Sequence, residues 1–371
     1  MDKTVVIRDG FGEGAPLDKT VVIRDGLVKG NPVDKTVVIG DGSGKENHSG
    51  RQEKALESPG QCPFCNEEFP DAPSADGSNC CPSCGYIYDP NTELKPGAVL
   101  KGKYRILKPL NAGGCGDIYL CHPLGDMKTR YVLKVLRDIT TPDSQNRFER
   151  EARLLRMLTF PVIVQFIDHW VAFSGSYIIL EYVEGSTLND IINQYEIDEE
   201  TTLRIALEVA KALRFAWEHG KIVHRDIKPS NIMINNEQEV RLLDFGIAKQ
   251  TESDASATVT AINTALGTPS FMSPEQYKNA KNVDFRSDIY SLGVTMYFLL
   301  KKENPFSGKT FLDIYQDTLR NSPPPRSCFE GVCSDECVSL LQSMMELDPG
   351  KRPGSYDELI QSIERILSRF G

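Results

Sequence analysis

The chain lacks an apolar run long enough to cross a bilayer: the longest, Tyr290 to Leu300, stops at Lys301 and Lys302, short of the roughly 20 residues a spanning helix needs. No transmembrane helix is expected. The N-terminus also lacks the basic-then-apolar order of a secretory signal and opens on charged, repeated sequence, so the expected location is the cytoplasm. Positive charge is short as well. With 42 Lys and Arg against 52 Asp and Glu, the net charge is −10, which disfavours nucleic acid and acidic membrane surfaces as partners. Ten cysteines are present, but disulfides are rare in the expected compartment, and four of the ten stand in two Cys-x-x-Cys pairs, the spacing of metal ligands.

What is there suffices for a large core. A chain of 371 residues, 40% hydrophobic and 25% charged, can hold one domain of about 250 to 280 residues and smaller modules beside it. Its first part is repetitive: DKTVVIRDG begins at Asp2 and at Asp18, and DKTVVIGDG at Asp34. Each unit has a β-prone Thr-Val-Val-Ile core followed by a Gly-containing turn. Units this short cannot bury a core by stacking, since solenoid repeats run to about 20 residues or more. We read 1–60 as a mostly disordered tail and linker, 61–90 as a cysteine module and 98–370 as a globular domain. In that domain Tyr131 to Leu136 and Tyr177 to Glu181 read as strands, whereas Leu203, Ala206, Leu207, Ala210, Leu213 and Trp217 recur at helical spacing and stop at Gly220. Strands come early and helices late, which predicts an α+β, two-lobed domain.

Three stretches carry chemistry. Leu110 to Ile118 contains Gly113, Gly114 and Gly116 between β-prone segments; glycine lets backbone N–H groups approach phosphate oxygens, although a plain β-turn has the same composition. Lys134 follows on an apolar strand, where a lone ammonium needs an anion. The segment Asn146 to Leu158 has a helical apolar stripe of Phe148, Ala152, Leu155 and Leu158 and offers Glu149 and Glu151. The third stretch is decisive: His224-Arg225-Asp226-Ile227-Lys228-Pro229-Ser230-Asn231, followed by Asp244-Phe245-Gly246.

In order and spacing these match the H-R-D-x-x-x-x-N and D-F-G signatures of protein kinases. Over about 270 residues the chain resembles the bacterial branch of Hanks-type serine/threonine kinases. The resemblance implies an N-lobe of antiparallel sheet plus one helix, a helical C-lobe, and transfer of the γ-phosphoryl group of Mg-ATP to protein hydroxyls. Asp226 would accept the hydroxyl proton, Asn231 and Asp244 would hold Mg²⁺, and Lys228, whose position resembles the serine/threonine-directed branch, would balance phosphoryl charge. Glu151 stands where the family has the glutamate that pairs with Lys134. Leu110, Ile118, Val132, Leu180, Glu181 and Val183 match the adenine pocket and hinge. Ser273-Pro274-Glu275 matches Ala-Pro-Glu, Gly267-Thr268 the segment beside the substrate hydroxyl, Asp288 the aspartate that supports the catalytic loop, and Arg352 the partner of Glu275. Two positions depart from the pattern: Asn111 replaces the first loop glycine, and Cys115 sits at the loop tip. Arg225 beside the catalytic aspartate resembles kinases whose activation segment is ordered by a phosphate, with Thr258, Thr260 and Thr264 as acceptors; a solvated loop that is active without phosphate is the competing reading.

Outside that domain, Cys62, Cys65, Cys81 and Cys84 form two knuckles resembling a zinc ribbon, four thiolates suiting tetrahedral Zn²⁺. A redox dithiol is the alternative, and Cys80 a substitute ligand. In the repeats Thr4, Thr20 and Thr36 are each followed three positions on by isoleucine, resembling the phosphothreonine signal read by forkhead-associated domains. β-strand addition is the competing reading. A catalytically weak pseudokinase scaffold is the alternative to an active enzyme. Cys328, Cys333 and Cys337 read as core or surface residues.

Overall fold

The computed structural model describes residues 5–7, 21–24, 26–29, 94–112, 117–136, 142–172, 175–245, 269–279 and 283–371. Within the repeats, β1 (Val5–Ile7), β2 (Val21–Arg24) and β3 (Gly26–Lys29) form a small antiparallel sheet in that order. Val5 faces Ile23 and Ile7 faces Val21, so the β-branched cores of the first two repeats pair with each other. Stiff β-branched residues favour the extended pleat where a partner strand is at hand; the reading of 1–60 as mostly disordered concerns residues that lie largely outside the described ones. The third repeat, the rest of 1–60 and the cysteine module of 61–90 lie outside the described residues.

The N-lobe sheet comprises β4 (Val99–Leu100), β5 (Tyr104–Ala112), β6 (Asp117–Pro123), β7 (Tyr131–Leu136), β8 (Phe166–Ala172) and β9 (Gly175–Glu181), in the order β4-β5-β6-β7-β9-β8 and antiparallel throughout. Strand alternation sorts its side chains. Tyr119, Cys121, Leu133, Val135, Tyr177 and Ile179 bury on one face in a core shared with Tyr104, Ile106 and Trp170. The opposite face carries Ile118, Val132, Lys134 and Leu180, since Ile118 pairs with Lys134 and Val132 with Leu180. Packing begins ahead of residue 98: Leu94 is buried in the same core, and its N–H donates to the Tyr119 hydroxyl at 3.1 Å. Helix α1 (Pro142–Arg156) lies on the sheet by the stripe read from the sequence, with Phe148, Ala152 and Leu155 buried and Leu158 just beyond.

The C-lobe holds β10 (Gly185–Thr187), α2 (Leu188–Ile192), α3 (Glu199–Gly220), β11 (Ile232–Asn235), β12 (Val240–Leu242), α4 (Pro274–Asn279), α5 (Phe285–Lys301), α6 (Phe311–Asn321), α7 (Asp335–Met344) and α8 (Tyr356–Leu367). Helix α3 starts where the Asp198 carboxylate accepts the Thr201 N–H at 2.8 Å, and it ends with Lys221 in the left-handed region. Its Leu203, Ala206, Ala210 and Leu213 are buried as the spacing predicts. Helix α5 runs against α7 at a close approach that only glycine permits: a Cβ on Gly293 would stand 2.9 Å from the Met344 Cβ. The small sheet β10-β11-β12 places the segment before β11 and the segment after β12 side by side under the cleft. One apolar core runs from Phe148 and Ile178 in the N-lobe through Ile227, Leu242 and Phe245 to the C-lobe helices.

Candidate active site

Between α3 and β11 the chain runs as an irregular loop whose polar groups are satisfied by its neighbours. The backbone N–H groups of His224 and Arg225 donate to the two carboxylate oxygens of Asp288 on α5, at 2.7 and 2.8 Å. Asp288 is fully buried, and burial raises its carboxyl to about pKa 7 despite those two donors. The His224 ring bridges two segments: Nε2 meets the Leu243 carbonyl at 2.7 Å, and Nδ1 accepts the Asp226 N–H at 3.3 Å. That pattern is the neutral Nε2–H tautomer. The same ring packs on Phe245, centroids 4.6 Å apart, so the loop is tied to both Leu243 and Phe245 after β12. Two non-glycine residues at the centre of the site, Arg225 and Asp244, sit at positive φ of 65° and 47°, a conformation held only where the surroundings over-determine it.

The carboxylate of Asp226 is fixed from two sides. Asn231 Nδ2 donates to Asp226 Oδ2 and to the Asp226 carbonyl, both at 2.8 Å, while Lys228 Nζ lies 3.0 Å from Oδ2. A carboxylate held this way is aimed, and a carboxylate so placed suits the acceptance of a proton from a hydroxyl. Across the cleft Lys134 donates to Asp244 Oδ2 at 3.1 Å. Apolar side chains of Ile118, Val132 and Leu180 share its sheet face, and Val183 follows, buried, after β9. Glu181 turns its side chain to Arg241 and to the Gln165 N–H, tying the hinge to β12. Leu110 is 40% exposed at the mouth of the cleft.

One expected pair does not form. Lys134 meets Asp244, and the charges acting on Glu151 are those of Arg225 and Arg147. The reason is helical: residues two apart point to nearly opposite sides, and Glu149 on the same helix is taken by His169 of β8 at 3.2 Å, which turns Glu151 toward the catalytic loop. Burial raises the Glu151 carboxyl to about pKa 7, with Arg225 and Arg147 opposing. Neither Glu151 Oε2 nor Arg225 Nε has a hydrogen-bond partner among the described residues, so nearby charge does not offset the lost hydration.

The C-lobe side is braced from below. Arg352, its side chain fully buried, makes a bidentate pair with Glu275 at 2.6 and 2.9 Å and donates to the carbonyls of Arg286 and Glu346. The sequence reading passed over Gln276. Its amide donates to the Arg225 carbonyl at 3.0 Å, and its carbonyl accepts from the Ser273 N–H and hydroxyl, linking the residues after Pro269 to the catalytic loop. Its place directly after Ser273-Pro274-Glu275 was the only clue. Gly113, Gly114, Cys115, Gly116, Gly246, Thr258, Thr260, Thr264, Gly267, Thr268, the five cysteines Cys62, Cys65, Cys80, Cys81 and Cys84, and Thr4, Thr20 and Thr36 lie outside the described residues.

Comparisons with known proteins agree with this geometry. The protein kinase domain family model matches residues 104–363. Serine/threonine-protein kinase pkn2 of Myxococcus xanthus is 35% identical over 71% of this chain and 32% of its own. Serine/threonine-protein kinase PknB of Mycobacterium tuberculosis is 33% identical over 72% of this chain and 43% of its own. The chain thus spans about a third to two-fifths of the length of these curated relatives. Among solved structures, the kinase domain of Mycobacterium tuberculosis PknI superposes with TM-score 0.57 at 24% identity, covering 74% of this chain and all of that one. Rad53 in complex with AMP-PNP gives 0.57 at 22%, covering 70% of this chain and 64% of that one. These two show a shared fold. A match that runs from the first long strand of the N-lobe sheet into the last C-lobe helix leaves one assignment: the chain belongs to the protein kinase family.

Proposed function

We propose that this protein is a serine/threonine protein kinase of the bacterial Hanks type, moving the γ-phosphoryl group of ATP to serine or threonine hydroxyls of protein substrates. The observation that carries the reading is the fixing of Asp226 by Asn231 and Lys228. Asp226 takes the proton of the attacking hydroxyl, and Lys228 faces the charge on the transferring group. Lys134 orients ATP phosphates, while Leu110, Ile118, Val132, Leu180, Glu181 and Val183 hold the adenine and Gly113, Gly114 and Gly116 cover the phosphates. Asp244 and Asn231 fit Mg²⁺: both offer oxygen, the ligand a hard cation takes, and the amide nitrogen of Asn231 is committed to Asp226, which leaves its carbonyl oxygen as the coordinating end. Bound there, the cation neutralises phosphate charge. Glu151 serves as the partner of Lys134 once ATP draws that lysine from Asp244.

Around this centre we place autophosphorylation at Thr258, Thr260 or Thr264, a structural zinc on Cys62, Cys65, Cys81 and Cys84, and phosphorylated Thr4, Thr20 and Thr36 as docking sites for forkhead-associated domains. We place the protein in the cytoplasm. The test is γ-phosphate transfer in vitro with Asp226→Asn as control and a DKTVVI repeat peptide among the substrates. Equal incorporation by both proteins, or none by the wild type, returns the alternative of a pseudokinase scaffold.

A further inference from the structure

Charge is unevenly spread along the chain. From Ala55 to Leu94 there are seven Asp or Glu and no Lys, Arg or His, although the whole chain has 42 Lys and Arg. Four of the seven, Glu67, Glu68, Asp71 and Asp76, fall within 66–76, together with Phe69. Such a stretch gains from any cationic surface within its reach. The N-lobe has one. A cavity of about 740 Å³ opens beside the hinge, where Leu107 of β5 and Leu120 of β6 supply apolar side chains and Lys108, Lys128 and Arg130 supply charge. Tyr182 and Glu184, just after β9, complete the lining, so three cations stand against one carboxylate. All three cations are exposed, and among the described residues none has an ion-pair partner. Asp126, two residues before Lys128, is spent on the turn itself, where it accepts the N–H groups of Lys128 and Thr129 at 2.9 and 3.2 Å. Lys101 of the same lobe is different: it has Asp168 at 3.5 Å and lies over the Trp170 ring. The cavity adjoins the cleft without belonging to it. Lys108 pairs with Leu120 and Leu120 with Val132, yet none of Val132, Lys134, Leu180 and Val183 lines it.

We propose that the acidic stretch 66–76 docks into this basic cavity of its own N-lobe. Its carboxylates meet Lys108, Lys128 and Arg130, and Phe69 covers the apolar side chains of Leu107 and Leu120. Two observations favour this occupant. The first is complementarity, since a stretch of one sign meets three neighbouring cations that have no counter-charge of their own. The second is the tether. Leu94 is buried in the N-lobe core, and Asp76 precedes it by 18 positions, an extended reach of about 60 Å. The stretch is therefore held near the lobe at high effective concentration, where exposed ion pairs that are weak one by one suffice together. The same stretch of a second copy has to compete with the tethered one.

The experiment treats the full-length protein with a carbodiimide, which joins a carboxylate directly to an amine in contact with it, and locates the links by mass spectrometry. Expected are links from Glu67, Glu68, Asp71 or Asp76 to Lys108 or Lys128, in excess over links from the same carboxylates to Lys101 or Lys103. Arg130→Glu leaves both amines in place and should lower the yield about tenfold; a thermal melt of this variant, changed at an exposed position, checks that it folds. Salt at about 1 M, where the screening length is about 3 Å, should lower the yield as well. In a mixture of isotope-labelled and unlabelled protein the links should stay within one chain. Links between labelled and unlabelled chains would assign the cavity to a second copy, and links from carboxylates outside 66–76 would name another occupant. Either outcome overturns the proposal, as do equal yields at Lys101 and Lys103, no link to Lys108 or Lys128, or a yield that Arg130→Glu does not move. None of these readouts depends on phosphate transfer.

Discussion

The two sides of the cleft each bury a carboxylate, and they treat it differently. On the C-lobe side Asp288 is fully buried, and two backbone N–H groups of the catalytic loop end on its oxygens at 2.7 and 2.8 Å. On the N-lobe side Glu151 is half-buried, close to Arg225 and Arg147, yet its Oε2 meets no donor among the described residues. Burial raises both carboxyls to about 7. The difference lies in what each group organises: Asp288 sets the backbone of the residues that carry Asp226, whereas Glu151 acts on Arg225 through charge alone. Donors meet both oxygens of the C-lobe carboxylate, whereas among the described residues none meets Oε2 of the N-lobe one.

The strongest way to break this contrast is at its chemical centre. Asp226→Asn keeps the hydrogen-bonding shape beside Asn231 but loses the proton acceptor, so initial rates of phosphate transfer should fall about 10²- to 10⁴-fold with the melting temperature nearly unchanged. Asp288→Ala should fail differently. It leaves the N–H groups of His224 and Arg225 without partners, and unfolding in denaturant should show a loss of about 2–5 kcal/mol together with lost transfer. If stability holds, the loop does not depend on this anchor. Arg352→Lys replaces a fully buried bidentate pair with a point charge, and we expect a loss of about 1–3 kcal/mol by the same measurement.

The smallest effect is the sharpest probe of the N-lobe side. Because the folded pKa of Glu151 lies above its ordinary 4.5, the folded state holds this proton more tightly than the unfolded one. Its contribution to stability is then fullest below about pH 4.5 and is lost as pH rises toward about 7. Glu151→Gln cannot titrate, so its melting temperature should gain on the wild type across that window and keep a constant lead above it. Parallel profiles would mean that Glu151 has found a charged partner after all, and the two sides of the cleft would be equally finished.

Much of this was legible from residue order. The apolar stripe of α1, the buried face of α3 and the residue set of the catalytic loop all follow from patterns within one element. In such patterns local periodicity decides which side is buried. The pairing of Arg352 with Glu275 followed from the family resemblance and is present. Gln276 was missed because a glutamine after a motif carries no signal of its own; its role exists only once the Arg225 carbonyl is beside it.

By itself, then, the sequence determined which side chains would line the cleft, since HRDIKPSN and DFG each hold their members within a few bonds of one another. Only the tertiary structure decided the distant partners: Lys134 with Asp244, Glu151 beside Arg225, and Glu199 with Ser334. Those meetings join residues far apart in the chain, and the position of a packed helix, which no local pattern encodes, sets which charges stand within reach.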